Sequence, residues 1–258
     1  MKLSSLKILS ATLLLSVITG CSSAPDAQDV EASEDHSTDV SDPFEGFNRS
    51  MWSFNHDVLD PYVVRPVSLA YVNYTPKPVR TGISNVLSNL DEPSSMVNNL
   101  LMGNGKQALN NFNRFWINST FGIFGLIDLA GAAGIPKEGD RSFGDALGHA
   151  GVGNGPYLMI PAYGPATTRD VADTVDTMYF PLSYLNFWTA LGKWTFQGME
   201  SRAALVSQEP MLDASPDSYI FTRDAYIQYS NYKAEVEPEE VFDEDEEDYL
   251  DDYMDELE

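Results

Sequence analysis

Asp170, Asp173 and Asp176 fall three residues apart and would bring three carboxylates to one side of a helix, the kind of cluster that can hold a divalent cation. They lack the loop chemistry of a calcium hand, so a solvated helix face is the simpler reading. Gly103-Asn104-Gly105-Lys106 resembles a fragment of a phosphate loop, but it has neither the upstream glycine spacing nor a Ser or Thr after the lysine. No nucleotide site is expected there, so no step driven by ATP is expected of this chain. The three histidines, His36, His56 and His149, stand apart, and no HExxH, GxSxG or zinc-like Cys/His grouping occurs. Hydrolysis therefore has no visible machinery, and neither a metal nor a cofactor is expected. A convergent Ser and His brought together only by folding would keep a lipid-degrading enzyme open as an alternative.

The remaining reactive side chain is Cys21, the only cysteine, which ends the run Ile18-Thr19-Gly20-Cys21 after an apolar stretch preceded by Lys2 and Lys7. A basic start and roughly ten apolar residues make an export signal, too short for the about 20 residues that cross a bilayer. The arrangement looks like a bacterial lipoprotein signal in which residues 1–20 are removed and Cys21 becomes an acylated N-terminus. Each buried methylene adds about 0.8 kcal/mol and stable anchoring takes more than one chain, which a mature lipoprotein supplies. Ser22 follows the cysteine. The sorting rule for such lipoproteins retains an Asp at that position in the inner membrane, so Ser22 points to the outer membrane.

The net charge of −24 is unevenly spread. Residues 235–258 hold fifteen Asp and Glu, residues 22–42 hold seven, and neither stretch has a Lys or Arg. Residues 43–234 carry 17 acids against 13 bases, so the part able to fold is nearly balanced. Acidic blocks repel themselves and bury little, so a tether over 21–42 and a tail over 234–258 are expected to be disordered. Docking of the tail onto a basic partner is the other reading. Nucleic acid is excluded as a partner, because its phosphates demand a basic surface.

Between these flanks, residues 43–233 are enough for one domain, and its apolar spacing is helical. Phe44, Phe47, Met51, Phe54 and Val58 recur at three or four residues, as do Ile83, Val86, Leu87 and Leu90. Ala108, Leu109, Phe112, Phe115 and Trp116 form another such row, and Phe187, Trp188, Leu191 and Trp194 a fourth. Asp42, Pro43 and Glu45 suggest a capped helix start, and prolines such as Pro61 and Pro93 are expected to cut the chain into short helices. The fold class is therefore all-α, with short helices meeting at sharp angles. The most apolar stretch, Phe121 to Ile135, would reach about 22 Å as a helix, short of the about 30 Å hydrocarbon core. It is either a buried helix or a segment entering one leaflet, and four Trp and 13 Tyr suit a membrane interface.

Long strings then carry a resemblance. DPFEGFNR (Asp42 to Arg49), VLDPYVVRPV (Val58 to Val67), RFWINSTFGIFGLIDLAG (Arg114 to Gly131), FGDALGHAGVGNGPYLMIPAYGP (Phe143 to Pro165) and TRD (Thr168 to Asp170) closely resemble the MlaA lipoprotein family. The resemblance runs from about Asp42 to about Tyr229 and leaves out the acidic tail. It implies a ring of helices in the periplasmic leaflet of the outer membrane, pierced by an amphipathic channel. It also implies removal of phospholipids misplaced in the outer leaflet, transfer to a periplasmic lipid carrier, and association with a trimeric porin. A passive porin-bound scaffold is the third reading.

Two acyl chains crossing water expose some 30 methylenes, about 25 kcal/mol at about 0.8 each, and a headgroup in hydrocarbon is costly too. A channel answering both needs sparse polar residues on apolar helices, and Asn118, Asp128, Arg169, Asp170, Asp173 and Lys193 are the candidates. Each has a plain alternative: Arg169 and Asp170 can cap or brace a helix, and Lys193 can snorkel beside Trp194. The segment Gly148 to Pro165 lacks helical spacing and is too apolar for disorder. Gly151, Gly153, Gly155, Tyr157 and Pro161 are therefore candidates for a channel-wall loop, with a buried linker as the equal alternative.

Overall fold

The computed structural model describes residues 41–236. Cys21, all of the acidic tether but Ser41 and Asp42, and nearly all of the acidic tail lie outside the described residues. Helix α1 (Glu45–Ser53) runs into a π-helical stretch (Phe54–Val64) and on into α2 (Arg65–Tyr74) without leaving helical backbone. Pro61 does not end a helix here. The wider π turn, in which the Arg65 N–H donates to the Asp60 carbonyl five residues back, makes room for the ring. Thr75, before Pro76, turns extended and stops α2. Asp42 does not cap α1, whose N-cap is Phe44 without a side-chain bond. Its carboxylate instead accepts from Asn48 Nδ2 at 2.8 Å and from the Tyr219 hydroxyl, tying the chain start to the last helix.

The longest helix, α3 (Lys77–Leu101, 25 residues), contains Pro93, so the helices are not uniformly short. A turn at Gly103, with φ +75°, reverses the chain into α4 (Gly105–Thr120), whose N-cap Asn104 accepts from Gln107 N at 3.2 Å. The phosphate-loop fragment is thus a helix stop followed by a helix start. After α4 come a tight turn, the short α5 (Leu129–Ala132), and α6 (Phe143–His149), which carries a capping box between Ser142 and Asp145.

Part of the segment expected to be an irregular loop is an antiparallel hairpin. Strands β1 (Tyr157–Ile160) and β2 (Gly164–Thr167) pair from Tyr157 with Thr167 to Ile160 with Gly164. Pro161 lies in the turn between them, where its missing N–H interrupts no ladder bond. A 3-10 stretch (Arg169–Met178) leads to α7 (Phe187–Leu205), α8 (Glu209–Asp213) and α9 (Ser218–Ala234). The apolar core is small: Tyr157, Met159, Tyr219 and Ile227, packed by Met51, Trp52, Ile220 and Tyr226.

Candidate functional site

The helices are inside out by the standard of a soluble protein. On α3 the buried positions include Ser88, Asn89, Glu92, Ser95, Asn98 and Asn99, while Leu100 and Leu101 are exposed. On α4, Asn111, Arg114 and Asn118 are buried beside Ala108, and Leu109, Phe112 and Trp116 face outward. Helix α7 has no buried residue and exposes Phe187, Trp188 (75%), Leu191 and Trp194. An exposed apolar surface this continuous is unfavourable against water and favourable against hydrocarbon or another apolar partner. No helix among the described residues is long and apolar enough to cross a membrane.

Phe121 to Ile135 is not one helix. Residues 121–128 make a tight turn that exposes Phe121, Ile123, Phe124 (82%), Leu126 and Ile127. Ile123 and Phe124 both adopt positive φ, 54° and 55°, a conformation that is strained for a β-branched residue. Glycine at 125 is required twice over: its φ is +92°, and a Cβ there would meet Asn89 Cβ at 2.7 Å.

Behind that turn lies a buried ionic clamp. Arg114 donates from Nε to Glu92 at 2.9 Å, from Nη2 to Asp128 at 2.9 Å and from Nη1 to the Ile135 carbonyl at 3.0 Å. Asn111 donates to the other Glu92 oxygen at 2.7 Å and itself accepts from Asn99 at 2.9 Å. Asn118 donates to Asp128 at 2.9 Å and accepts from Ala130 N at 2.9 Å. Burial pushes the Asp128 carboxyl up, but the Gly131 N–H, the Arg114 guanidinium and the Asn118 amide together hold it below the usual carboxylate range. Asn118 and Asp128 thus join α4 to the chain that follows it.

Two asparagines of the first helical run, seven residues apart, hold the hairpin. Asn48 donates to the Tyr157 carbonyl at 3.1 Å and accepts from Met159 N at 2.9 Å. Asn55 donates to the Ile160 carbonyl at 2.9 Å and accepts from Ala162 N at 2.8 Å. Each side-chain amide pairs with the strand edge as a neighbouring backbone would. Tyr163, the last residue of the turn, stacks on Trp194 of α7 with centroids 6.3 Å apart and planes within 2°.

The acidic face over 170–176 is not left to water. Asp170 accepts from the Thr167 hydroxyl at 2.9 Å and the Tyr226 hydroxyl at 2.6 Å. Asp173 accepts from Gly144 N at 2.7 Å, and Asp176 from Phe143 N at 3.0 Å and Asn98 at 2.8 Å, so both grip the first turn of α6. Burial holds both carboxyls above the usual range despite those donors. Among the described residues no cluster of His, Cys, Asp and Glu is arranged to hold a metal.

Two cavities adjoin the remaining candidates. Lys193 pairs with Asp91 of α3 at 2.8 Å and donates to Gln197 at 3.0 Å. Gln197, with Tyr71, Leu87, Phe196 and Glu200, lines a space of about 260 Å³ between α2, α3 and α7. Arg169 lines the second, about 520 Å³, with the turn Gly148–Asn154 and the end of α9. Gly151 (φ +92°) and Gly155 (φ +69°) need glycine for their backbone angles, whereas Gly153 faces open space. Sequence reasoning missed Asn48, Asn55, Glu92 and Arg114. The signal for the clamp was available as the spacing Ser88, Glu92, Ser95, Asn99, a helical polar stripe on α3.

Outward aromatics, an ion-paired interior and a strained, exposed apolar turn together define this helical protein. The family model described as MlaA lipoprotein matches residues 40–233, and the chain belongs to that family. Proteins of Shigella flexneri and Escherichia coli K12, each named intermembrane phospholipid transport system lipoprotein MlaA, are 46% identical over 206 residues, covering 78% of this chain and 82% of theirs. The Haemophilus influenzae protein of the same name is 37% identical over 235 residues, covering 88% of this chain and 89% of its own. A solved structure described as the structural basis for maintenance of bacterial outer membrane lipid asymmetry aligns with a TM-score of 0.73 at 49% identity. The alignment covers 76% of this chain and all of that one.

Proposed function

We propose that this chain is an outer-membrane lipoprotein of intermembrane phospholipid transport, which removes phospholipids misplaced in the outer leaflet and so maintains lipid asymmetry. The observation that carries this reading is membership in the MlaA family, and the inverted polarity of α3, α4 and α7 supports it physically. A lipid leaving a bilayer unaided exposes its methylenes at about 0.8 kcal/mol each. A protein whose apolar side chains already face outward and whose polar groups face inward lowers that barrier at both ends of the lipid.

Within this reading, Cys21 carries the acyl anchor, residues 43–233 form the domain that sits in the periplasmic leaflet, a trimeric porin holds it, and a periplasmic carrier takes the lipid onward. Asn118, Asp128, Asp170 and Asp173 brace the polar path. Lys193, beside the α3–α7 cavity, and the glycines at 151, 153 and 155 with Pro161 border it, while Tyr157, fully buried in the apolar core, supports the wall from behind.

Deleting the gene is expected to raise phospholipid in the outer leaflet, and re-expressing the full chain to restore it, while Cys21→Ala, present at normal level, does not. Unchanged outer-leaflet lipid after deletion would refute the reading. Incubating purified protein with labelled phospholipid is expected to leave the lipid intact; release of fatty acid or headgroup would establish a hydrolase instead.

A further inference from the structure

Arg169 is 6% exposed, yet no carboxylate pairs with it among the described residues. Its Nη2 donates to the carbonyl and hydroxyl of Ser230 at 2.9 and 2.7 Å, its Nη1 reaches only the Val152 carbonyl at 3.5 Å, and its Nε has no partner. Arg114, equally buried, sits between two carboxylates. A buried cation without a counter-charge is costly, so the asymmetry between these two arginines calls for an anion at Arg169.

The surroundings are built to admit one. Arg169 lines the cleft of about 520 Å³, wide open to solvent and within the range of about 300–1,000 Å³ for small-molecule sites. The backbone at Gly148 lies so close that an added Cβ would run into Arg169 Nη1. Asn154 and Asn231, bonded to each other at 2.6 Å, add amides to the wall. The acid on the lining is Glu235, which is exposed and does not pair with Arg169. A buried positive charge and an exposed negative one in a single cavity match a ligand carrying both signs.

We propose that this cavity binds the headgroup of a zwitterionic phospholipid, with its phosphodiester toward Arg169 and its amine toward Glu235. The inference deepens the transport reading, on which it rests, by giving it a headgroup preference and a recognition site at the end of α9. Guanidinium and phosphodiester form charge-assisted hydrogen bonds that a carbonyl at 3.5 Å does not replace.

The test is calorimetric titration of the full chain, in phospholipid-free detergent, with glycerophosphoethanolamine, glycerophosphoglycerol and inorganic phosphate. Saturable binding of the first is expected, with the other two weaker by about fivefold or more. Gly153→Val, which fills open space without straining the turn, is expected to keep the melting temperature and lower affinity about tenfold. Glu235→Gln should erase the preference for the ethanolamine diester while leaving phosphate binding in place. Arg169→Lys keeps the charge without the fork and should weaken all three ligands. Should that variant fail to fold, Gly153→Val and Glu235→Gln carry the test. Absence of saturable binding, phosphate bound as tightly as the diester, or binding indifferent to Gly153→Val would each overturn the proposal. If the same protein still restored outer-leaflet asymmetry in cells, the site would fall and the transport reading would stand.

Discussion

Arg114 shares one positive charge between Glu92 and Asp128, and both Arg114 and Glu92 keep only 4% of their side chains exposed. Removing the cation leaves the buried Glu92 carboxylate without its counter-charge and takes one donor from the half-buried Asp128. Breaking a buried pair from one side costs about 3–5 kcal/mol, far more than the pair itself contributes against an apolar substitute. Arg114→Leu is therefore expected to lose about that much stability, read as a lowered denaturation midpoint in detergent. Glu92→Gln, which keeps an acceptor for Arg114 Nε, should lose less. If Arg114→Leu melted with the wild type, the clamp would have no structural role.

Helical spacing was legible along the chain, and it picked out the outward face of α7 and most of that of α4, whose row also took in the buried Ala108. Its sense was not legible. A row such as Leu109, Phe112 and Trp116 has the same period whether it faces a core or a bilayer, and only the burial of Asn111, Arg114 and Asn118 on the other side decides. Prolines were over-read as breaks: Pro61 is accommodated by a π turn and Pro93 lies within α3. The hairpin was hidden for a different reason. Its strands are only four residues each, and their outer partners are side-chain amides on a distant helix, a pairing no local pattern announces. Among the lining candidates, partners were equally invisible: Lys193 meets Asp91 across about a hundred residues of chain, and Asp173 meets the backbone of α6. If Asn48 acts as a surrogate strand edge, Asn48→Ala leaves the Met159 N–H and the Tyr157 carbonyl short of partners, at about 1–3 kcal/mol for a buried unpaired group. Amide exchange at Met159 should then quicken while the α3–α4 pair is unaffected; uniform quickening would mean a general loss of fold.

Glu209 ties together parts of the molecule that are far apart in sequence. It accepts from Arg65 at 2.9 Å and from Arg202 at 2.6 Å, and Arg202 also holds Asp60 at 2.6 Å. Hydrogen bonds from Arg65 and Arg202 lower the Glu209 carboxyl from 4.5 to about 2. A carboxyl depressed on folding contributes stability that is full above its unfolded value of 4.5 and drains as pH falls toward about 2. The stability gap between wild type and Glu209→Gln is thus expected to be constant near neutral pH and to close between about pH 4.5 and 2. A gap independent of acid would place the stabilisation elsewhere.

The outward apolar faces of α3, α4 and α7 also set the thermal signature of the fold. Unfolding an ordinary domain wets a large apolar interior and raises the heat capacity by about 12–15 cal/mol/K per residue. Here much of that surface is already outside, with Phe124, Trp116, Trp188 and Trp194 exposed while Asn98, Asn99 and Glu92 fill the interior. Calorimetry should return a smaller increment per residue and a flatter stability curve. Cooling should then take little from this fold, because its oil is kept on the outside, where ice-cold water has little left to reclaim.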